Sequence, residues 1–135
     1  MSKKQVFGDL SPEQEQAYAD EAARRWDAEK VRESNRLWKS YSAEKKQQIK
    51  DEGNAIYTEI VAVMDQDAGS AAVQALIARW HQHLRYFYEP TPEILRGLGQ
   101  GYNSDPAFHA TFAALHPDLP AFLEAAITQY VDALA

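Results

Sequence analysis

Apolar positions recur every three or four residues through most of this chain, the period of a helix that buries one face. The clearest run follows His116-Pro117-Asp118: Leu119, Phe122, Leu123, Ala126, Ile127, Tyr130, Val131 and Leu134 form one stripe and predict a final helix. A second stripe, Ile49, Gly53, Ile56, Ile60 and Val63, with Tyr57 and Met64 beside it, predicts a helix over about 43–64. Gly53 costs that helix about 1 kcal/mol against alanine, which points to close approach of another helix there. Asp65 to Ser70 ends it, and Ser70 caps a third helix carrying Val73, Leu76, Ile77, Trp80, Leu84 and Phe87.

The next stretch turns sharply twice. Glu89-Pro90 stops the third helix, because the residue before a proline is pushed out of the α region. Thr91-Pro92-Glu93 restarts the chain, with Thr91 as N-cap and Pro92 at the first helical position, where a missing N–H costs nothing. Gly97, Gly99 and Gly101 are expected to weaken this helix and close it at a glycine-rich turn near Tyr102. Asp105-Pro106 then caps a short helix with Phe108, Phe112 and Leu115. The aromatic surface between these corners reads either as helical-hairpin core or as a concave apolar pocket with a few polar groups, the usual form of a small-molecule site.

The front of the chain is built differently. Ser11-Pro12-Glu13-Gln14 has the signature of a helix start, and helices are expected over about 12–25 and 28–39. Their apolar faces hold little beyond Tyr18, Ala22 and Trp26 in the first and Val31, Leu37 and Trp38 in the second. Helices so short are marginal unless a face packs on something. The reading is therefore one all-α domain over 1–135, with a mobile helical lid at 1–41 and a helical core at 42–135. No stretch reads as a strand, an internal repeat or a low-complexity segment.

Composition narrows the function. With 135 residues the chain can bury a real core, and with no cysteine it has no disulfide framework, thiolate metal site or cysteine nucleophile. A formal charge of −6 argues against unaided binding to nucleic acid, which needs a basic face. That charge is uneven: residues 1–48 hold ten basic and nine acidic side chains, residues 49–135 four and eleven. No apolar run is long enough to span a bilayer, and Met1-Ser2-Lys3-Lys4 does not lead into an apolar signal region; the absence of cysteine fits a cytoplasmic location.

The candidate chemistry is sparse. Two positions apart on a helix, His81 and His83 point roughly 200° from one another and cannot share a metal. His109 and His116 share a face two turns apart, with no carboxylate at a metal-site spacing between them. No metal and no cofactor is expected, and the alternating glycines follow a helix rather than a strand, so a nucleotide loop fails on context. Aromatics are the better signal: five Phe, seven Tyr and three Trp, two of the Trp in the weakly apolar front. They suit stacking on a large flat ligand, or they staple the front helices permanently onto the core. Both readings stand at this point.

A resemblance adds to this. Phe7-Gly8-Asp9-Leu10, Tyr18, Glu21-Ala22, Arg25-Trp26, Glu33-Ser34, Tyr41-Ser42, Phe87-Tyr88-x-Pro90-Thr91-Pro92-Glu93, Leu98-Gly99-x-x-Tyr102, Asp105-Pro106-x-Phe108 and Ala125-Ala126-Ile127 resemble the TipAS family. These are antibiotic-recognition domains at the C-terminus of MerR-type transcription activators. The likeness runs from about Phe7 to Val131. It implies a globin-like all-α fold that binds thiopeptides or other bulky antibiotics in a cleft, with a front segment that orders when ligand arrives. Departures limit what carries over. The winged-helix and coiled-coil part that precedes the domain in the activators is missing here, so DNA binding and activator-type dimerisation are not expected. Asp27 stands where a glycine commonly follows the Arg-Trp pair. The family's thiopeptide-capturing cysteine has no counterpart, and Trp80, with His83 one turn on, stands where a pocket histidine is common.

Together these give a non-enzymatic binder of a bulky aromatic antibiotic-like molecule. Trp80, His83, Phe87, Tyr102 and Phe108 would form its floor; Tyr18, Trp26, Ser34, Trp38 and Tyr41 would close as its lid. The rivals are a protein–protein module whose aromatic cleft takes a partner helix, and a small helical enzyme with His83 or His109 as base.

Overall fold

The computed structural model describes residues 28–134, and Tyr18 and Trp26 lie outside the described residues. Among those residues it is all-helical: α1 (Ala28–Ser40), α2 (Ala43–Ala62), α3 (Ala71–Leu84), α4 (Pro92–Ser104), α5 (Pro106–Ala113) and α6 (Leu119–Leu134). The starts of α2 to α5 follow from a side chain that takes up an orphan N–H of the first turn. Ser42 accepts from the Lys45 N–H at 3.0 Å, Ser70 from Val73 at 3.3 Å and Thr91 from Ile94 at 3.2 Å. One Asp105 oxygen accepts from both Ala107 and Phe108, at 3.0 and 3.2 Å. Before α6 the acceptor is a histidine: the Asp118 N–H donates to His116 Nδ1 at 3.1 Å.

The ends differ more from expectation. The stripe predicts α2 to Met64, yet the helix closes at Ala62, and Val63 and Met64 continue it as tighter turns, bonding to Ile60 and Val61. The glycine-rich turn expected near Tyr102 does not form. α4 runs unbroken through Gly97, Gly99 and Gly101 to Ser104, and no described glycine takes a left-handed backbone. The reason is packing. Gly99 is buried against α6, where a Cβ would stand 3.1 Å from both Cβ and Cγ2 of Ile127. Here the glycine brings two helix backbones together instead of ending one.

α4 packs most extensively on α6, α2 lies on α3, and α5 bridges α4 and α6. The core gathers the predicted stripes: Ile56, Tyr57 and Ile60 from α2, Val73, Ile77 and Trp80 from α3, and Leu119, Leu123, Ile127 and Val131 from α6. Gln74 fastens α3 to α6 by donating to the Ala126 carbonyl at 3.1 Å. The surface pairs Arg79–Glu59 (2.9 Å) and Arg96–Asp132 (2.6 Å) add register between helices and little stability, as exposed ion pairs do.

Candidate ligand-binding site

The C-terminal end of α3 and the turns that follow it feed two separate aromatic clusters. The first sits at the helix end, where successive turns from Arg85 to Tyr88 unwind it ahead of Pro90. Trp38 of α1 stacks on Phe87 with centroids 5.7 Å apart and an angle of 27° between the rings, and meets Tyr41 edge-on at 6.3 Å. The Tyr41 hydroxyl donates to the Tyr86 carbonyl at 2.6 Å. His83 touches both Tyr86 and Phe87 edge-on, at 5.6 and 5.8 Å. Its Nε2 lies 2.8 Å from the Ile49 carbonyl, which can only accept, so Nε2 carries the proton. Two ammonium groups cap this cluster: Lys45 lies 4.9 Å from the Tyr86 ring centroid and Lys46 5.4 Å from that of Trp38. Ser34 is half-buried on α1, one turn before Leu37 and Trp38.

The second cluster lies inside the bundle. Trp80 meets Tyr102 edge-on at 6.2 Å, and Tyr102 contacts Phe108 at 5.7 Å and Phe112 at 4.7 Å. Tyr57 closes it against Phe112 at 5.0 Å. Trp80 and Tyr102, expected on a pocket floor, are core residues, 2% and 7% exposed. Trp80 shares the stripe of Val73 and Ile77, which faces the neighbouring helices, and so goes in with them. Burial pushes the Tyr57 hydroxyl up to about 12 and those of Tyr88 and Tyr102 well above the usual tyrosine value.

Of the described site residues expected from sequence, Trp38, Tyr41, His83 and Phe87 thus come together in one cluster, and Trp80, Tyr102 and Phe108 in the other. Sequence reasoning missed Tyr86, Tyr57 and Phe112. Tyr86 follows from its place beside Phe87 in the unwinding turn; Tyr57 and Phe112 lie on stripes that read simply as core. The histidines go separate ways, as their spacing requires: His81 Nδ1 pairs with the Tyr130 hydroxyl at 2.8 Å on α6, while His83 faces α2. Burial, then nearby Arg85, holds the His81 imidazole below its ordinary value. His109 Nδ1 bonds the Asn103 carbonyl at 2.8 Å on the surface. A shallow groove of about 740 Å³ lined by Val61, Met64, His116, Asp118 and Phe122 lies apart from both clusters.

The profile of the TipAS antibiotic-recognition domain matches residues 18–130, most of the chain and every cluster residue named above. The chain belongs to this family. Nosiheptide-bound TipAS, from the thiopeptide antibiotic multidrug resistance system of Streptomyces lividans, has the same fold at TM-score 0.81 and 30% identity, over 96% of this chain and 92% of that one. The HTH-type transcriptional activator mta of Bacillus subtilis is 34% identical over 98% of this chain and 53% of its own length. The HTH-type transcriptional activator TipA of Streptomyces coelicolor is 33% identical over 93% of this chain and 50% of its own length. The chain therefore spans about half the length of the curated relatives it matches. Among the described residues no helix is long and apolar enough to cross a membrane.

Proposed function

We propose that this TipAS-family domain binds a bulky, aromatic, antibiotic-like molecule of the thiopeptide or another heterocyclic class, without catalysis, as a sequestering protein or as the effector module of a MerR-type regulator. The observation that carries this reading is the pair of aromatic clusters at the C-terminal end of α3, one half-exposed and one enclosed. Flat rings set edge-on and stacked offer area and polarisable faces to a heterocycle at small cost in side-chain freedom. Trp38, Tyr41, His83 and Phe87 form the outer contact surface, with Ser34 beside them, and Tyr102 and Phe108 lead inward to Trp80. Tyr18 and Trp26 join the site from the sequence-expected lid. The histidines that could serve an enzyme are engaged with backbone or tyrosine partners, which favours binding over acid–base work. A regulator's effector module works where the DNA is, so the cytoplasm is the compartment this reading implies, with no contact to nucleic acid by the domain itself.

The test is a titration with nosiheptide, followed by tryptophan fluorescence and calorimetry. Saturable binding with a negative heat-capacity change is expected, since apolar area is buried. The Trp26→Ala/Trp38→Ala double variant should bind at least tenfold more weakly, the order of a lost stacking contact. No response to nosiheptide or to a panel of other heterocyclic antibiotics, with a response to amphipathic peptides instead, would replace this reading with the protein–protein one.

A further inference from the structure

The shallow groove away from both aromatic clusters lies between the end of α2 and the start of α6. Its floor is apolar: Val61, Met64 and Phe122 are half-buried and pack against the core. Its rim carries the exposed carboxylates of Asp65 and Asp118. Among the described residues no Lys or Arg pairs with either of them. Residues 49–135 hold four basic side chains, and three of these, Arg79, Arg85 and Arg96, are already engaged with Glu59, Glu89 and Asp132. The fourth, Lys50, stands about three turns before Val61 on α2, a separation of ~16 Å along the axis. The α2 dipole adds negative partial charge at this end, and no basic side chain occupies its last turn. His116, also on the wall, accepts the Asp118 N–H at Nδ1 (3.1 Å), and an imidazole with that nitrogen unprotonated carries no charge.

We infer that this groove is a second ligand site, for a bulky organic cation with apolar or aromatic arms. It is independent of the aromatic clusters and of the binding reading given to them. Its volume, about 740 Å³, falls in the usual range for small-molecule sites. A metal ion does not suit it, since among the described residues no three His, Asp or Glu side chains are placed to hold one. A delocalised cation needs no such close coordination. Its apolar body covers Val61 and the adaptable Met64, and its charge answers the two carboxylates. The Phe122 ring adds the attraction of an aromatic face for a cation. An anion of the same shape meets two like charges and no counter-charge.

Tetraphenylphosphonium and tetraphenylborate share a shape and differ in the sign of their charge, so together they separate charge recognition from simple apolar adsorption. The chain has two methionines, so methyl labelling gives two resonances, and Met64→Leu identifies the one from Met64. Tetraphenylphosphonium should move that resonance saturably, and tetraphenylborate should leave it in place. Asp65→Asn/Asp118→Asn changes only two exposed carboxylates and should bind the cation about fivefold or more weakly, the order of two part-exposed ion pairs lost together. Raised salt should weaken the wild-type complex in the same direction. Nosiheptide affinity should be the same in the double variant and the wild-type protein. A wild-type protein that takes tetraphenylphosphonium and not nosiheptide supports the groove site and counts against the reading of the aromatic clusters alone. An equal response to both ions, an unmoved Met64 resonance, or full affinity in the double variant overturns the inference. A Met64 resonance moved by oligolysine and not by tetraphenylphosphonium overturns it too, in favour of a surface for a basic protein partner.

Discussion

Gly99 and Gly101 sit two residues apart in α4 and face opposite circumstances. At Gly101 an added Cβ would meet nothing within 4 Å, so alanine there gains helix propensity without a clash. At Gly99 the same atom would press into Ile127, which is itself fully enclosed and cannot yield without parting α4 from α6. Gly101→Ala should therefore raise unfolding free energy by about 0.5–1 kcal/mol. Gly99→Ala should lose that gain and end below wild type, since overpacking a close contact costs about 1–3 kcal/mol. Urea unfolding of the two variants decides this; an equal rise in both would show that the helices are not held together at Gly99. Sequence showed that the glycines were special and gave the wrong reason for it. A run of glycines after Leu95 looks the same whether it ends a helix or lets one approach a neighbour, and only the partner, Ile127, distinguishes them.

Among the elements, starts were more legible than ends. Ser42, Ser70, Thr91 and Asp105 all cap as their local sequence requires, because a cap is settled by three or four adjacent residues. Ends depend on what the last turn packs against. α1 is the element whose attachment matters most for the site. Its hold on the core is the Trp38–Phe87 stack together with the Tyr41 bond to the Tyr86 carbonyl, just beyond its last residue. Tyr41→Phe removes that part-buried hydrogen bond and keeps the ring, a loss of about 1 kcal/mol. Amide exchange over residues 31–40 should then speed up several-fold, while residues 119–134, deep in the α4–α6 contact, stay protected. Nosiheptide should restore slow exchange in α1 if the outer cluster binds it. Uniform protection of both segments in the variant would mean that α1 is held by more than this clasp.

For the molecule as a whole, the fold was legible because helical stripes and caps repeat the same message at every level, and the family likeness agreed with them. The site was legible only in part. Aromatic type and spacing selected the residues, but whether a ring faces a cleft or a core depends on contacts far apart in sequence: Trp80 is read one way from its neighbours on α3 and another from Tyr57 and Tyr102. That enclosed centre should show itself in alkaline solution. The Tyr57 hydroxyl is pushed up to about 12 by burial, whereas an unfolded tyrosine titrates near 10. Between those values the unfolded chain has lost a proton that the folded chain keeps, so unfolding is favoured as pH rises, and below pH 10 this contribution to stability is fully present. Two units amount to roughly 2–3 kcal/mol from Tyr57, and Tyr102, raised well above its ordinary value by the same burial, steepens the fall. Denaturant midpoints measured from pH 9 to 12, with tyrosinate absorbance followed in parallel, should drop across that window. Tyr57→Phe should make the drop shallower, because phenylalanine has no proton to lose in either state. If the variant's curve runs parallel to that of the wild-type protein, Tyr57 ionises as readily folded as unfolded, and the centre of the bundle is open to water rather than sealed by its rings.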